Sequence, residues 1–274
     1  MPQTANDNLV IDLGVLSAEP EHEYHAKAGE YLSSHQLKDF INCPKLYRDK
    51  QLGLIRETVT PDMLVGSATH ALVLEGRDAY ESRFALGGPI NKTSGKPFGE
   101  DTKAFAAWCA EQGKPGIHHK HLDVIEDLYQ GVMNHDEAML LLQYGRSEGV
   151  IRTAYRGISC QARYDWIHPH RGIIDLKTTA DLDRFEHQCK KNRYHNQIAF
   201  YRAILAQVTG QLVPVYLVAV EKKQPFRCGV WRVSEDTLAA AQRENDEAII
   251  RLKECQRIDY WPTGYEVIRI LDFT

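Results

Sequence analysis

The chain has 274 residues, of which 43% are hydrophobic and 26% are charged, and its formal net charge is −4. This hydrophobic content is enough for one large buried core or two small ones, which excludes a chain that is disordered throughout. No apolar run approaches the roughly 20 residues of a membrane-spanning helix, and residues 1–14 lack the basic and hydrophobic segments of a secretory signal, so we expect a cytoplasmic protein without membrane contact.

The charge is unevenly distributed along the chain. Residues 151–232 contain 14 Lys and Arg against 6 Asp and Glu, a net charge of +8, so the remaining residues carry −12. Such a basic segment is typical of a surface that meets phosphates, although ordinary solvated charge explains it equally well. The six cysteines are far apart and form no CxxC pair, which favours reduced thiols over a disulfide framework or a zinc site.

The first half of the chain has mostly helical patterns. Residues 1–30 are acidic and patternless, which predicts a mobile or loosely docked leader ahead of a single domain at residues 31–274. One helix is predicted to begin at Ser33 or Ser34 and to end before Pro44, and a second, buried helix to run from about Pro61 to Gly76. Further helices are predicted at about 100–112 and 119–144.

From residue 147 onward, apolar and polar residues alternate. Residues 149–179 are rich in β-branched and aromatic side chains and predict three antiparallel strands in a meander. Helical spacing returns at 181–209, and two strand-like segments and a last amphipathic helix at 237–255 follow. This order predicts one α/β domain with a mixed sheet.

The segment GIIDLKTTADL, residues 172–182, carries charge on one face of a strand. Asp175 and Lys177 share that face because side chains alternate along a strand. A turn before the segment would bring Asp165, at the end of the preceding strand, close to Asp175, and the two carboxylates would repel unless a cation lay between them. Mg²⁺ or Mn²⁺ suits this oxygen-rich position, although salt bridges with Arg163 and Lys177 explain the pattern as well.

Four ordered segments resemble the PD-(D/E)XK nuclease superfamily, and in particular its RecB-like and RecE-like branch. They are CPKLY at 43–47, GSATHALVLE at 66–75, ARYD…GIIDLKTT at 162–179 and NQIAFY at 196–201. Each piece alone is weak, but the ordered combination spans about residues 31–221 and is specific. The resemblance implies a restriction-endonuclease-like core, in which a central mixed β-sheet is flanked by helices, and a metal-dependent nuclease.

The resemblance also implies roles for individual residues. Asp165 and Asp175 match the two acidic positions of the motif, and Lys177 matches its lysine, which would orient the attacking water or offset developing charge. Gln197 and Tyr201, one helical turn apart, match the QxxxY element and are expected to contact the phosphate or the lysine.

The implied metal ligands are the two aspartates, the Leu176 carbonyl and His70, whose GxxxH context matches a histidine that faces the metal in that branch. A lone histidine on an apolar helix is otherwise more often a hydrogen-bonded core residue. The implied metal is Mg²⁺ or Mn²⁺, and an imidazole ligand suits Mn²⁺ better. Glu75 lies about 140° round an α-helix from His70 and is expected outside this ligand sphere.

Likeness to the RecE-type branch, which is phage- and prophage-borne, implies 5′-to-3′ digestion of linear double-stranded DNA in recombination by single-strand annealing. It further implies an annealing-protein partner and a homo-oligomeric ring. Contacts to phosphate are expected from polar and basic side chains in two parts of the chain, although a cap or solvated charge explains each at least as well. These residues are Ser34, Lys38, Lys45, Arg48, Lys190, Lys191 and Arg193.

Two alternatives stay open. One is another nuclease of the superfamily, such as a helicase-linked RecB module or a CRISPR-adaptation nuclease. The latter would need three clustered cysteines besides Cys43, and Cys228 and Cys255 do not supply them. The other is a non-catalytic DNA-binding or assembly protein with this fold, against which the intact acidic motif speaks.

Overall fold

The structure is a computed structural model that describes residues 9–56 and 58–272. The helices are α1 (Glu21–Ala26), α2 (Ser34–Asn42), α3 (Pro44–Gln51), α4 (Pro61–His70), α5 (Arg77–Arg83), α6 (Lys103–Gln112), α7 (His119–Met133), α8 (Asp136–Leu141), α9 (Phe185–Lys191), α10 (Tyr194–Thr209) and α11 (Glu235–Ile258). The strands are β1 (Ala85–Gly87), β2 (Gly116–His118), β3 (Arg146–Tyr155), β4 (Ile158–His168), β5 (Gly172–Thr179), β6 (Val215–Glu221) and β7 (Cys228–Arg232).

A five-stranded mixed sheet of order β3-β4-β5-β6-β7 lies at the centre of the fold. Strands β3, β4 and β5 form the predicted antiparallel meander, β6 runs parallel to β5, and β7 returns antiparallel to β6. The parallel step is possible because the helical segment 182–209 carries the chain back to the starting edge of the sheet. The α/β fold class with a mixed sheet flanked by helices is therefore confirmed.

Each face of the sheet is covered by helices and has its own apolar core. On one face α10 packs against β3 and β4 and is joined by α2 and α11, whereas on the other α4 and α7 pack against β5 and β6. Along β5 the side chains alternate between the two cores: Ile173 faces the first, and Ile174 and Leu176 face the second, all with 0% exposure. Asp175 and Lys177 follow Ile173 on the same face of β5, so the charged part of this face lies toward the end of the strand.

Local sequence signals fix the ends of the helices that approach the site. Helix α2 begins where the sequence predicts, with Ser33 as its N-cap, and Gln36 completes a reciprocal capping box with Ser33. The helix that begins at Pro61 is also confirmed, but it ends in a single wide π turn over Ala71–Glu75 before Gly76 turns the chain at φ +90°. The predicted helix at 119–144 is two helices, because His135 caps a new helix immediately after α7 ends.

The acidic N-terminal segment is packed onto the domain. Leu9, Ile11 and Leu16 are buried in the first core, and the Ile11 N–H donates to the Pro169 carbonyl at 2.8 Å. Ser17 exchanges backbone hydrogen bonds with Val150 on the outer edge of β3. The expectation of a mobile or loosely docked leader is therefore wrong for residues 9–30, and residues 1–8 lie outside the described residues. Within the described ranges, none of the helices has both the length and the apolarity to cross a membrane.

Candidate active site

The candidate site lies at a fork between two strands of the meander. Strands β4 and β5 pair at only three positions, from His168 opposite Gly172 to Trp166 opposite Ile174. Asp165 is the next residue on β4, and its carboxylate Oδ2 accepts a hydrogen bond from the Leu176 N–H at 2.9 Å. The Asp165 carboxylate thus accepts the hydrogen bond that a backbone carbonyl of β4 would accept in a continuous sheet. The two strands separate here, and Asp165 and Asp175 face each other at the opening.

Asp175 and Lys177 form a buried ion pair on the charged face of β5. The Asp175 side chain is 1% exposed, and its Oδ2 lies 2.5 Å from Lys177 Nζ. The other carboxylate oxygen, Oδ1, has no hydrogen-bond partner among the described residues. Burial raises the pKa of Asp175 to about 6, in spite of the Lys177 charge, and the Asp165 carboxylate raises it further.

Lys177 stays charged in this environment. Burial works against its ammonium, but Asp175 and Asp165 outweigh this effect and raise the Lys177 pKa above its ordinary value. The ammonium also lies 5.1 Å from the centre of the Tyr194 ring. Lys177 is therefore a permanent positive charge held between two carboxylates and an aromatic face.

His70, at the end of α4, faces the same opening. Its Nδ1 lies 3.5 Å from Asp165 Oδ2. Burial lowers the pKa of His70 to about 4, and the Lys177 charge lowers it further. At neutral pH the imidazole is therefore uncharged, which is the form that binds metals. Burial likewise raises the pKa of Asp165, although Lys177 and the Leu176 N–H oppose the shift.

The predicted Gln197 and Tyr201 pair lies on the wall of the site. Gln197 Nε2 donates to the Tyr201 hydroxyl at 3.1 Å, as their spacing of one helical turn on α10 allows. Burial raises the pKa of Tyr201 to about 12, and Asp175 and Asp165 also raise it, whereas hydrogen bonds with Ser34 and Gln197 oppose this. Both side chains line a cavity of 230 Å³ together with Ser34, His70 and Asp165.

These residues fit a small, oxygen-preferring cation. Asp175 is buried beside the Asp165 carboxylate, its Oδ1 has no partner among the described residues, and such an arrangement is satisfied by a divalent ion. Among residues 9–56 and 58–272, no three His, Cys, Asp or Glu side chains form a complete ligand set. Mg²⁺ does not require one, because it is usually bound through one or two carboxylates with water and substrate phosphates completing the shell. That Asp165, Asp175, His70 and the Leu176 carbonyl are ligands stays a prediction.

Comparison with known proteins places the fold. The family model described as "PDDEXK-like domain of unknown function (DUF3799)" matches residues 33–272. The chain belongs to this family. The PDDEXK-like resemblance inferred from the sequence is thereby confirmed, and the family match supports a nuclease.

One solved structure shares the fold of the chain. A crystal structure of a protein from Eubacterium rectale, described as a "putative exonuclease", is 16% identical over 94% of this chain and 96% of its own, with a TM-score of 0.69. At this identity the likeness shows the fold alone. The structure described as SSO0001 is 16% identical over 79% of this chain and 84% of its own, but its TM-score of 0.27 carries no argument. Comparison with curated proteins found no match.

One charged residue of the PDDEXK-like site escaped the sequence analysis. Glu148 lies on β3 opposite Asp165 of β4, and the residues before and after it are paired with β4. Its backbone is left-handed, with φ +53°. Its Oε2 lies 2.5 Å from Arg163 Nε. Burial raises the pKa of Glu148 to about 8, and Asp165 raises it further. The only sequence signal is a Glu-Gly step at the start of an apolar strand.

The remaining charges near the PDDEXK-like site are paired with each other. Arg163 binds Glu148 rather than Asp165, so only the Lys177 half of the salt-bridge alternative is observed. Glu75 binds Arg83, with Oε1 2.5 Å from Nη1. The π turn alters the angle between Glu75 and His70 that an α-helix would give. Glu75 nevertheless binds Arg83 and not a residue of the strand fork.

The predicted phosphate contacts fall into three settings. Ser34 is buried at the Tyr201 hydroxyl, within the site itself. Lys38 is half-buried on α2, whereas on α3 Lys45 pairs with Asp49, and Arg48 lies 5.1 Å from the Trp261 ring centre. Lys45 and Arg48 would have to leave these contacts to bind a phosphate. For all four residues the role stays a prediction.

The second predicted group lies on and after α9. Lys190 and Lys191 are exposed. Arg193 is held by three acceptors: its Nε lies 2.9 Å from Asn42 Oδ1, and its Nη1 lies 2.7 Å from Glu244 Oε1 and 3.5 Å from Asn196 Oδ1. The two lysines are therefore better placed for a DNA phosphate than the arginine.

Proposed function

We propose that the protein is a divalent-metal-dependent DNA exonuclease that hydrolyses phosphodiester bonds of linear duplex DNA. The observation that carries the proposal is the strand fork, where Asp165 lines the cavity and the buried Asp175 lies behind it, paired with the charged amine of Lys177. Membership in the PDDEXK-like family supports the same reading.

The carboxylates would hold the metal. A divalent ion bound at Asp165 and Asp175 supplies Lewis-acid stabilisation of the charge that develops on the phosphate. The raised pKa of Asp175 reflects a buried negative charge with too little compensation, and the neutral imidazole of His70 offers a further donor without adding charge. The chain's own contribution is to hold these donors close together, with His70 and Asp165 facing the cavity and the Lys177 charge opposing the rise that burial causes in the pKa of both carboxylates.

Lys177 and the Gln197–Tyr201 pair would act on the phosphate and the attacking water. Lys177 keeps its proton in this site, so its role is to orient the water or to offset charge on a phosphate oxygen rather than to accept a proton. The Tyr201 hydroxyl also keeps its proton at neutral pH and can donate a hydrogen bond toward the phosphate. Gln197 holds that hydroxyl in place.

The finer assignments are supported by likeness alone. Digestion from the 5′ end, action in recombination and an annealing-protein partner follow from the resemblance of the motifs to the RecE-like branch. The description of the Eubacterium rectale protein supports an exonuclease. For a homo-oligomer, the structure offers a tail on which Val267, Ile268, Ile270 and Leu271 are at least 75% exposed and could contact another subunit.

The iron–sulfur alternative raised by the sequence receives no support from the described residues. All six cysteines are free thiols, and within the described ranges no three metal-binding side chains cluster, so a cluster of the CRISPR-adaptation type has no visible ligand set there. A non-catalytic role is an outcome of the following experiment.

The test is digestion of a linear duplex labelled separately at each 5′ and 3′ end, with and without a 5′ phosphate, beside a closed circular duplex. We expect Mg²⁺- or Mn²⁺-dependent loss of the 5′ label first, an intact circle and no activity in EDTA. Lys177→Ala should bind the duplex normally and fail to cleave it, whereas Lys222→Ala, which removes a lysine paired with the exposed Asp62, should cleave normally. No cleavage by the wild-type chain with either metal, or full cleavage by Lys177→Ala, would overturn the proposal.

A further inference from the structure

A groove of 730 Å³ lies beside the candidate active site, along α9 and the edge strand β7. Its floor consists of the buried side chains of Phe185, Ile198 and Leu217, and Trp231 forms a partly exposed wall. The volume lies within the about 300–1,000 Å³ of pockets that bury a small-molecule-sized group. We call it the Trp231 groove.

A row of aromatic rings connects the Trp231 groove to the catalytic lysine. The Phe185 ring centre lies 4.7 Å from that of Trp231 on one side and 6.4 Å from that of Tyr194 on the other. The Tyr194 ring in turn lies 5.1 Å from Lys177 Nζ. The groove therefore begins about one ring beyond Lys177 at the strand fork, so the two sites are close neighbours in the fold.

The rim of the Trp231 groove is basic. Lys190, Lys191, Arg193 and Arg232 line it, against the single acidic residue Glu186. Glu186 accepts a hydrogen bond from the Trp231 indole N–H at 3.3 Å, and this bond fixes the ring. The ammonium groups of Lys190 and Lys191 have neither a hydrogen bond nor an ion pair with any residue in the described ranges, so both can meet an anion without losing a partner.

An apolar aromatic floor below a basic rim matches one kind of polymer. Single-stranded nucleic acid offers unpaired bases that stack on aromatic rings and phosphates that follow a positive groove, whereas a duplex hides its base faces. We infer that the Trp231 groove binds single-stranded DNA, with a base stacked on Trp231 and the flanking phosphates at Lys190 and Lys191. This rests on the proposed function for the source of the strand, because digestion of one strand of a duplex leaves the other unpaired.

Lys190 and Lys191 belong to the basic segment 151–232 of the sequence. Lys190 and Lys191 would hold the unpaired strand rather than the scissile phosphate. Their substitution should therefore weaken single-strand binding while leaving the fork residues and their metal unaffected.

The test is fluorescence anisotropy with a labelled oligothymidine in EDTA, where no cleavage occurs. Because stacking contributes about 1–3 kcal/mol per base, we expect Trp231→Ala to weaken binding roughly 5- to 150-fold and Trp231→Phe to retain most of the affinity. The double variant Lys190→Gln/Lys191→Gln should lower the slope of log affinity against log salt by about 1.4, since each phosphate contact contributes about 0.7. The exposed pair Lys92→Gln/Lys96→Gln, outside the groove, should change neither quantity.

Three outcomes would overturn the inference. The first is an unchanged affinity for the oligothymidine in the Trp231→Ala variant. The second is an equal loss of affinity in Trp231→Phe and Trp231→Ala, together with an unchanged slope of log affinity against log salt in the Lys190→Gln/Lys191→Gln variant. The third is a change of oligomer mass with unchanged DNA affinity, which would assign the groove to the apolar tail of another copy. Since binding is measured without metal, loss of this proposal and loss of the nuclease proposal are distinguishable.

Discussion

Replacing Lys177 with methionine removes the ammonium between the two aspartates and keeps an unbranched side chain that is one heavy atom shorter. In the protein without metal, Lys177 Nζ lies 2.5 Å from Asp175 Oδ2, and both side chains are at least 86% buried. Lys177→Met therefore leaves a buried carboxylate that has no ion-pair partner, next to the Asp165 carboxylate. We expect the free energy of unfolding in EDTA to fall.

The size of the loss follows from the burial and from the pKa of Asp175. Removing one partner of a buried ion pair lowers stability by about 3–5 kcal/mol. Asp175 has a pKa of about 6 and takes up a proton near neutral pH once the lysine is gone, so we place the loss at the lower end, at about 3 kcal/mol. For a chain of this size, this corresponds to a fall in Tm of about 6–12 °C.

Manganese should reverse the loss, because a divalent ion takes over the charge that the ammonium supplied. At 100 times its Kd, a ligand that binds only the folded chain adds about 2.7 kcal/mol. Thermal unfolding of wild-type and Lys177→Met protein, each in EDTA and in Mn²⁺, measures both effects. Lys222→Met is the matched control, since Lys222 is similarly buried but its partner Asp62 is 79% exposed. An unaltered Tm for Lys177→Met in EDTA, or a Mn²⁺ stabilisation no larger than that of the wild type, would refute the reasoning.

Further predictions concern titration, the N-terminal segment and the hydroxyl of the site. Glu148 has a pKa of about 8 in the fold, above its ordinary value, so the folded state binds more protons than the unfolded state. The free energy of unfolding in EDTA should therefore fall by about 1–2 kcal/mol as the pH rises from 6.5 to 8. Chemical denaturation should show a smaller fall in the Glu148→Gln variant. Ile11→Ala should lower the free energy of unfolding by about 2–4 kcal/mol, because the Ile11 side chain is only 2% exposed. Val10→Ala, at a side chain that is 59% exposed, should change it by less than about 0.5 kcal/mol. Equal effects of the two substitutions would contradict the docking of this segment. Tyr201→Phe should lower kcat of DNA cleavage by about 10-fold or more with little change in KM, since the lost hydroxyl would act on the reacting phosphate; an unchanged kcat would remove Tyr201 from the site.

Sequence patterns predicted the elements whose signals are local. The helix start at Ser33 or Ser34, the proline at the start of α4 and the period-two alternation of the meander all depend on neighbouring residues, and all are present. The meeting of Asp165 and Asp175 was also predictable, because a tight turn between paired strands fixes which residues face each other.

Features that depend on distant contacts were not predictable. The N-terminal segment has no periodicity of its own, and it is ordered by hydrogen bonds to Pro169 and Val150 far along the chain. Glu148 reaches the site through a left-handed backbone that no strand pattern indicates. The π turn after α4 likewise follows from packing against α5 and α7 rather than from helix propensity.

Anomalous diffraction from crystals soaked in MnCl₂ tests the central claim most directly. The account predicts one strong manganese peak in contact with the carboxylates of both Asp165 and Asp175, and its loss in Asp165→Asn crystals. A manganese peak bound elsewhere, with these two carboxylates still joined only to Lys177, would contradict the proposed metal-dependent cleavage.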